Sequence, residues 1–149
     1  MLKPVICVAC EKVIIDQQQS GVVSLIALFD KMSIAVPREA PEIPPNAVAP
    51  REWSIFSKWE TDPDDAGKEF TVCTQMFYPD KTPFGDQGRT ALTAEANKKA
   101  QAIVKIFGFP LGQTGMYTIR SWIEANGKMI GPSIEFRLEL EITIQEPAK

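Results

Sequence analysis

Ile134-Glu135-Phe136-Arg137-Leu138-Glu139-Leu140-Glu141-Ile142-Thr143-Ile144 alternates without a fault. In an extended chain, successive side chains point to opposite sides. Ile134, Phe136, Leu138, Leu140, Ile142 and Ile144 therefore share one face, and Glu135, Arg137, Glu139, Glu141 and Thr143 share the other. A helix would scatter these residues around its circumference, so the segment reads as a strand with one buried face. Just upstream, Tyr117-Thr118-Ile119-Arg120-Ser121-Trp122-Ile123-Glu124 is another strand, and it runs into Asn126-Gly127. That dipeptide tolerates the positive φ angles of a tight hairpin turn.

Working towards the N-terminus, Trp53 to Trp59 reads as a strand with Trp53, Ile55 and Trp59 on one face. Phe70 to Tyr78 is a further strand, separated from it by the turn Asp62-Pro63-Asp64-Asp65-Ala66-Gly67. Pro79-Asp80-Lys81 and a loop around Gly85 and Gly88 follow. Residues 4–15 and Val22 to Val36 are apolar and β-branched, and Asp16 to Gly21 between them is polar, so they form an opening hairpin. Asp30 and Lys31 leave the second run as one bent strand or two short ones. Pro37, Pro41, Pro44, Pro45 and Pro50 then crowd one stretch. Proline lacks the ladder donor and fixes φ, so an extended surface loop is expected there.

Residues 93–107 admit two readings. Ala96, Ala100, Ile103 and Phe107 make a helical stripe that Gly108 and Pro110 would stop. In the other, Thr90–Glu95 and a second strand flank a turn at Asn97-Lys98, with Ala100, Ala102, Val104 and Ile106 facing inward. The β-branched run Ala102 to Phe107 favours the hairpin. The expected fold is all-β: one domain over residues 1–149, a two-sheet antiparallel β-sandwich of seven to nine strands, immunoglobulin-like.

Ala9-Cys10-Glu11, Gly21 and Ser24-Leu25-Ile26-Ala27-Leu28-Phe29-Asp30 resemble the opening of an uncharacterised family of small bacterial proteins, a domain of unknown function. There a Cys-Glu or Cys-Asp at the end of strand one precedes a Gly turn and a Leu-Ile-Gly-Ile-Phe-like strand two. Gly115-Met116-Tyr117 is similar to that family's closing Gly-x-Tyr strand. The resemblance runs from about Pro4 to Gln145, and the chain departs from it at Ala27, where the family has Gly. It implies a β-sandwich and brings no activity and no functional residues. Physically, a Tyr entering a late strand of a Greek-key sandwich either returns its hydroxyl to nearby backbone as a corner staple or serves as one more core aromatic.

Composition narrows the chemistry. The 149 residues carry a net charge of −3, which argues against nucleic-acid or membrane-surface binding. No histidine is present, which removes Ser-His, Cys-His and His-metal sites together. Val5 to Cys10 is an apolar run of six residues, shorter than the ~7–15 of an export signal. With three cysteines, an odd number, the expected location is the reducing cytoplasm.

Several constellations invite a site. Cys7-x-x-Cys10 lies within a strand, where the two side chains leave opposite faces, and Cys73 is the sole further thiol. Buried, spectator cysteines are expected. Asp62, Asp64, Asp65 and Glu69 faintly resemble a calcium loop but lack its alternation. Trp53 and Trp59 are expected in the core. Trp122 shares its face with Arg120 and Glu124 and is expected at the surface, as an interface anchor or a stacking platform. No Gly-x-Ser-x-Gly, Ser-x-x-Lys or Gly-rich phosphate loop is present. The expected function is a non-catalytic binding or assembly module, with no cofactor, working through sheet edges or the proline-rich loop on an unknown protein partner. The alternatives are a small-molecule or glycan-binding domain using Trp122, or an enzyme of unrecognised type. The long last strand, with a shorter partner upstream and Gly131-Pro132 breaking the pairing near the turn, further suggests a homodimer through an open edge.

Overall fold

A computed structural model describes residues 1–18, 22–39, 42–96 and 98–145. In chain order the strands are β1 (Lys3–Ile15), β2 (Val23–Leu28), β3 (Lys31–Pro37), β4 (Val48–Glu60), β5 (Glu69–Phe77), β6 (Pro83–Thr93), β7 (Lys99–Pro110), β8 (Gly115–Ala125) and β9 (Lys128–Gln145). They form a four-stranded sheet, β2-β1-β4-β7, packed on a five-stranded one, β3-β9-β8-β5-β6. Pairing is antiparallel except between β3 and β9, which run parallel. β3 follows β2 across to the other sheet and lies parallel to the last strand, and the two packed sheets make the immunoglobulin-like β-sandwich expected.

The inward faces make two contiguous cores. Trp53, Ile55, Phe109, Tyr117, Ile119, Leu138 and Leu140 fill one, and Leu2, Trp59, Phe70, Val72, Ala102 and Ile123 fill the other. Trp53 and Trp59 are both wholly buried, and each indole N–H has an acceptor: the Gly108 carbonyl at 3.0 Å and the Ser57 hydroxyl at 3.2 Å. Phe29, Trp53, Phe109, Tyr117, Tyr78 and Phe84 pack ring to ring, with centroids 5.5–5.7 Å apart. The Tyr117 hydroxyl donates back to the carbonyls of Gln113 and Pro110, which makes it the corner staple.

Among the described residues of 93–107, none is helical. Ala100, Ala102, Val104 and Ile106 face the cores as the strand reading requires. The two strands do not pair, however: β6 belongs to the five-stranded sheet and β7 to the four-stranded one, so the turn is an arch between layers. Thr61 pins that arch by donating to the carbonyls of Glu95 and Lys98, and Ala94 exchanges backbone bonds with Gly67 and Lys68. Asn97 lies outside the described residues, as do 19–21, 40–41 and 146–149.

The proline-rich stretch is less of a loop than expected. Pro37 closes β3 and Pro50 lies within β4, where the register shifts between Ala49 and Glu52. At such a bulge a residue without an N–H removes no ladder bond. Gly85 and Gly88 likewise belong to β6. A Cβ on Gly88 would stand 3.0 Å from the Val104 side chain on β7, a tight fit between the layers. Gly131, with φ of +67°, absorbs a bulge inside β9, so Gly131-Pro132 does not end the strand. β3 covers Glu139–Gln145 in parallel, which closes the edge expected to lie open there.

Ala27 adopts φ of +55° beside the β1–β2 ladder. A Cβ in the left-handed region costs ~1–2 kcal/mol, and the added freedom of an unfolded glycine offsets part of that. Ala27→Gly is therefore expected to raise unfolding free energy by about 1 kcal/mol in urea titrations, and Ala27→Val to lower it. A loss of stability in the glycine variant would mean that the positive φ carries no strain.

Candidate functional site

The two outer surfaces of the sandwich differ in kind. On the five-stranded sheet, the outward positions carry Glu135, Arg137, Glu139 and Glu141 of β9 and Arg120, Trp122 and Glu124 of β8. Ion pairs lace this face, Arg89–Glu124 at 2.8 Å and Lys31–Glu141 at 2.7 Å. Trp122 is half-buried in that network. Its N–H donates to Glu124 at 3.2 Å, and the Arg120 guanidinium lies over its ring at 5.9 Å. Arg89, with Trp122, holds the Glu124 carboxyl below the usual carboxylate range.

The four-stranded sheet presents the opposite chemistry. Across its strands Val8 lies opposite Phe56 and Phe56 opposite Ile103. Phe56 is 2% exposed yet belongs to neither core. It is covered from its own side of the sheet, by half-buried Val8 and Ile103. Ile6 extends this apolar row, and beyond Cys10 it reaches β2, where Ile26 is 44% and Leu28 59% exposed. Phe107, 75% exposed, stands at the far end of β7. Lys12, Lys58 and Lys105 rim the row.

The same sheet forks. Its β1–β4 ladder ends at Cys10 opposite Ser54, whereas β1 continues to Ile15 beside β2 and β4 starts at Val48 beside β7. A groove of about 950 Å³ opens between the arms, with Ser54 and Ile103 along it and Ile14, Ile26, Lys12 and Lys105 at its margins. On the core side, Arg51 ties the arms together. It pairs with Glu11 at 2.7 Å and lies 5.1 Å over the Phe29 ring.

The other sequence candidates lie apart from this face or beneath it. Cys7 points into the core and Cys10 to the outer side, where its thiol lies 3.8 Å from the Ser54 carbonyl. Cys73 lies under the Arg89–Glu124 pair on the opposite sheet. All three are buried and unpaired. Burial pushes the Cys7 and Cys73 thiols up to about 11. At pH 8 the folded protein is thus expected to react negligibly with a chromogenic disulfide, and the denatured, unreduced chain to yield three thiols. Fast titration of any thiol in the folded state would contradict the burial. Asp62 and Asp65 come together around the Met1 amino group, 2.8 Å from Asp62, and Lys68 also approaches Asp65 at 3.6 Å. Glu69 opens β5 and is exposed. Among the described residues no group of three or more Cys, Asp or Glu side chains is placed to hold a metal.

The apolar outer face escaped the sequence reading, although its signal was present. Val5-Ile6-Cys7-Val8-Ala9-Cys10, Ile55-Phe56 and Ala102-Ile103-Val104 are apolar at consecutive positions. That means both faces of a strand are dry.

No family model and no curated protein matches the sequence. Among solved structures, the chain is similar to the CARDB domain of the PF1109 protein from Pyrococcus furiosus, solved in complex with di-metal ions. Identity is 12% over 94% of each chain, and the TM-score is 0.43.

Proposed function

We propose that this domain is a non-catalytic binding or assembly module of a reducing cytoplasm that presents the outer face of its four-stranded sheet to another protein. The observation that carries this reading is the contrast between the two outer faces. In a two-layer sandwich each outer face normally meets water and is polar. Here one is laced with charge, while the other sets Ile6, Val8, Ile26, Leu28, Phe56 and Ile103 together. Covering such a patch is favourable by ~25 cal/mol per Å² of apolar surface, and contiguous patches of this kind mark protein interfaces. Lys12, Lys58 and Lys105 border it without an ion pair among the described residues, so a partner with an apolar centre and carboxylates at its margin fits. Three buried free thiols suit the reducing compartment. Kinship with the small bacterial family is part of the same reading. Ala27 takes a left-handed φ where that family has glycine, and Tyr117 is a corner staple at its Gly-x-Tyr.

The test is a photo-crosslinking amino acid placed at Ile103 on one face and at Arg137 on the other, in living source cells. Adducts from position 103 that vanish when Ile26→Lys is added, with none from 137, are expected. Adducts from position 137 alone, or from neither position, would overturn the proposal.

A further inference from the structure

Four strands end the two sheets: β2 and β7 in one, β3 and β6 in the other. An edge strand exposes a row of unpaired N–H and C=O groups, and proteins guard such rows with charge and proline. β3 has Lys31 and Pro37, β6 has Pro83, Asp86 and Arg89, and β7 has Lys99, Lys105 and Pro110. β2, Val23-Ser24-Leu25-Ile26-Ala27-Leu28, has neither.

We infer that β2 pairs antiparallel with β2 of a second copy of this chain, about a two-fold axis at Ser24. This rests on the reading above and extends it: joining two β2 edges merges the four-stranded sheets into one and sets their apolar faces side by side, doubling the surface that the partner proposed there would cover.

The register follows from the backbone. The Asp16 N–H donates to the Val22 carbonyl at 2.9 Å, and β1 pairs Ile14 with Ser24 and Lys12 with Ile26. In an antiparallel ladder the bonding groups alternate sides every residue. The N–H and C=O of Ser24 and Ile26 therefore turn towards β1, and those of Val23 and Leu25 turn to the open edge. With Ser24 on the axis, Val23 meets the second copy's Leu25 and Leu25 meets its Val23, and both pairs exchange their N–H···O bonds. Side chains match as well. Ser24 faces Ser24, and exposed Ile26 faces exposed Val22. An axis at Leu25 instead would set Ser24 against Ile26 and require left-handed Ala27 to join the ladder. No charge lies within β2, so like charges do not face one another across the axis.

Ser24 would occupy a non-bonded pair, where Cα atoms stand about 4.5 Å apart, within the span of a disulfide. Ser24→Cys is therefore expected to crosslink two copies nearly completely under mild oxidation. Leu25→Cys, facing Val23 of the second copy, is expected to crosslink several-fold less. The native thiols are buried and do not interfere. By sedimentation the unmodified protein is expected at twice 16.5 kDa, and Leu25→Lys at 16.5 kDa. Leu25→Pro, which removes only an outward N–H, provides a second monomeric variant should the lysine fail to fold. A 16.5 kDa particle at high protein concentration, or a dimer in which Ser24→Cys does not crosslink, overturns this pairing. Either result leaves the face proposal to its own test, since adducts at Ile103 with a different protein would uphold that face without a second copy.

Discussion

Trp53→Ala is expected to lower the free energy of unfolding by about 3–5 kcal/mol. The side chain is wholly buried between Phe29 and Phe109, and its indole N–H meets the Gly108 carbonyl at 3.0 Å. Truncation removes a large apolar surface from the core and leaves a cavity that rigid β-strands close only in part. It also takes the donor from a carbonyl in a strongly bent stretch of β7, where Gly108 has φ of +109°. Domains of this size are stable by only about 5–15 kcal/mol, so the variant stands near the edge of folding. Urea titration followed by tryptophan fluorescence measures the loss. A change under about 1 kcal/mol, well below that range, would place Trp53 outside the core.

Tyr117→Phe is expected to cost about 1–3 kcal/mol, although the ring and its packing remain. The hydroxyl serves the carbonyls of Gln113 and Pro110, at the corner where the chain leaves the four-stranded sheet for the five-stranded one. Without it, partly dry acceptors lose their donor, which is the costly half of a broken hydrogen bond. The same corner is held from outside. Leu111 donates to Ala47 at 2.8 Å, and a Cβ on Gly112 would stand 2.0 Å from the Pro45 carbonyl oxygen. The loss is therefore expected to come with faster amide exchange at Leu111 and Gln113. A neutral substitution would reduce Tyr117 to an ordinary core aromatic.

What the sequence revealed was local. The alternation from Ile134 to Ile144 is governed by neighbouring residues, and β9 carries it into the structure with Leu138 and Leu140 buried. Asn126 and Gly127 both take positive φ, because the twist of a tight hairpin demands it. The inward set Ala100, Ala102, Val104 and Ile106 follows from the same period of two. What was hidden was pairing between distant segments. Lys31–Pro37 finds Glu139–Gln145 across most of the chain length, and no local pattern announces a parallel partner. Pro50, Gly85 and Gly131 read as breakers, yet bulges absorb them within strands. The candidate site was half legible: its consecutive apolar residues were visible, but their meaning depended on which strands sat side by side.

The central claim is that the outer side of the four-stranded sheet is covered in the cell. Hydroxyl-radical footprinting tests it most directly, by comparing the dilute purified protein with the same protein labelled inside intact cells. The account predicts that Val8, Ile26, Leu28 and Ile103 lose most of their labelling in cells while Met116 and Trp122, on the other sheet, keep theirs. Equal labelling of both faces in cells, or protection centred on Trp122, would contradict it.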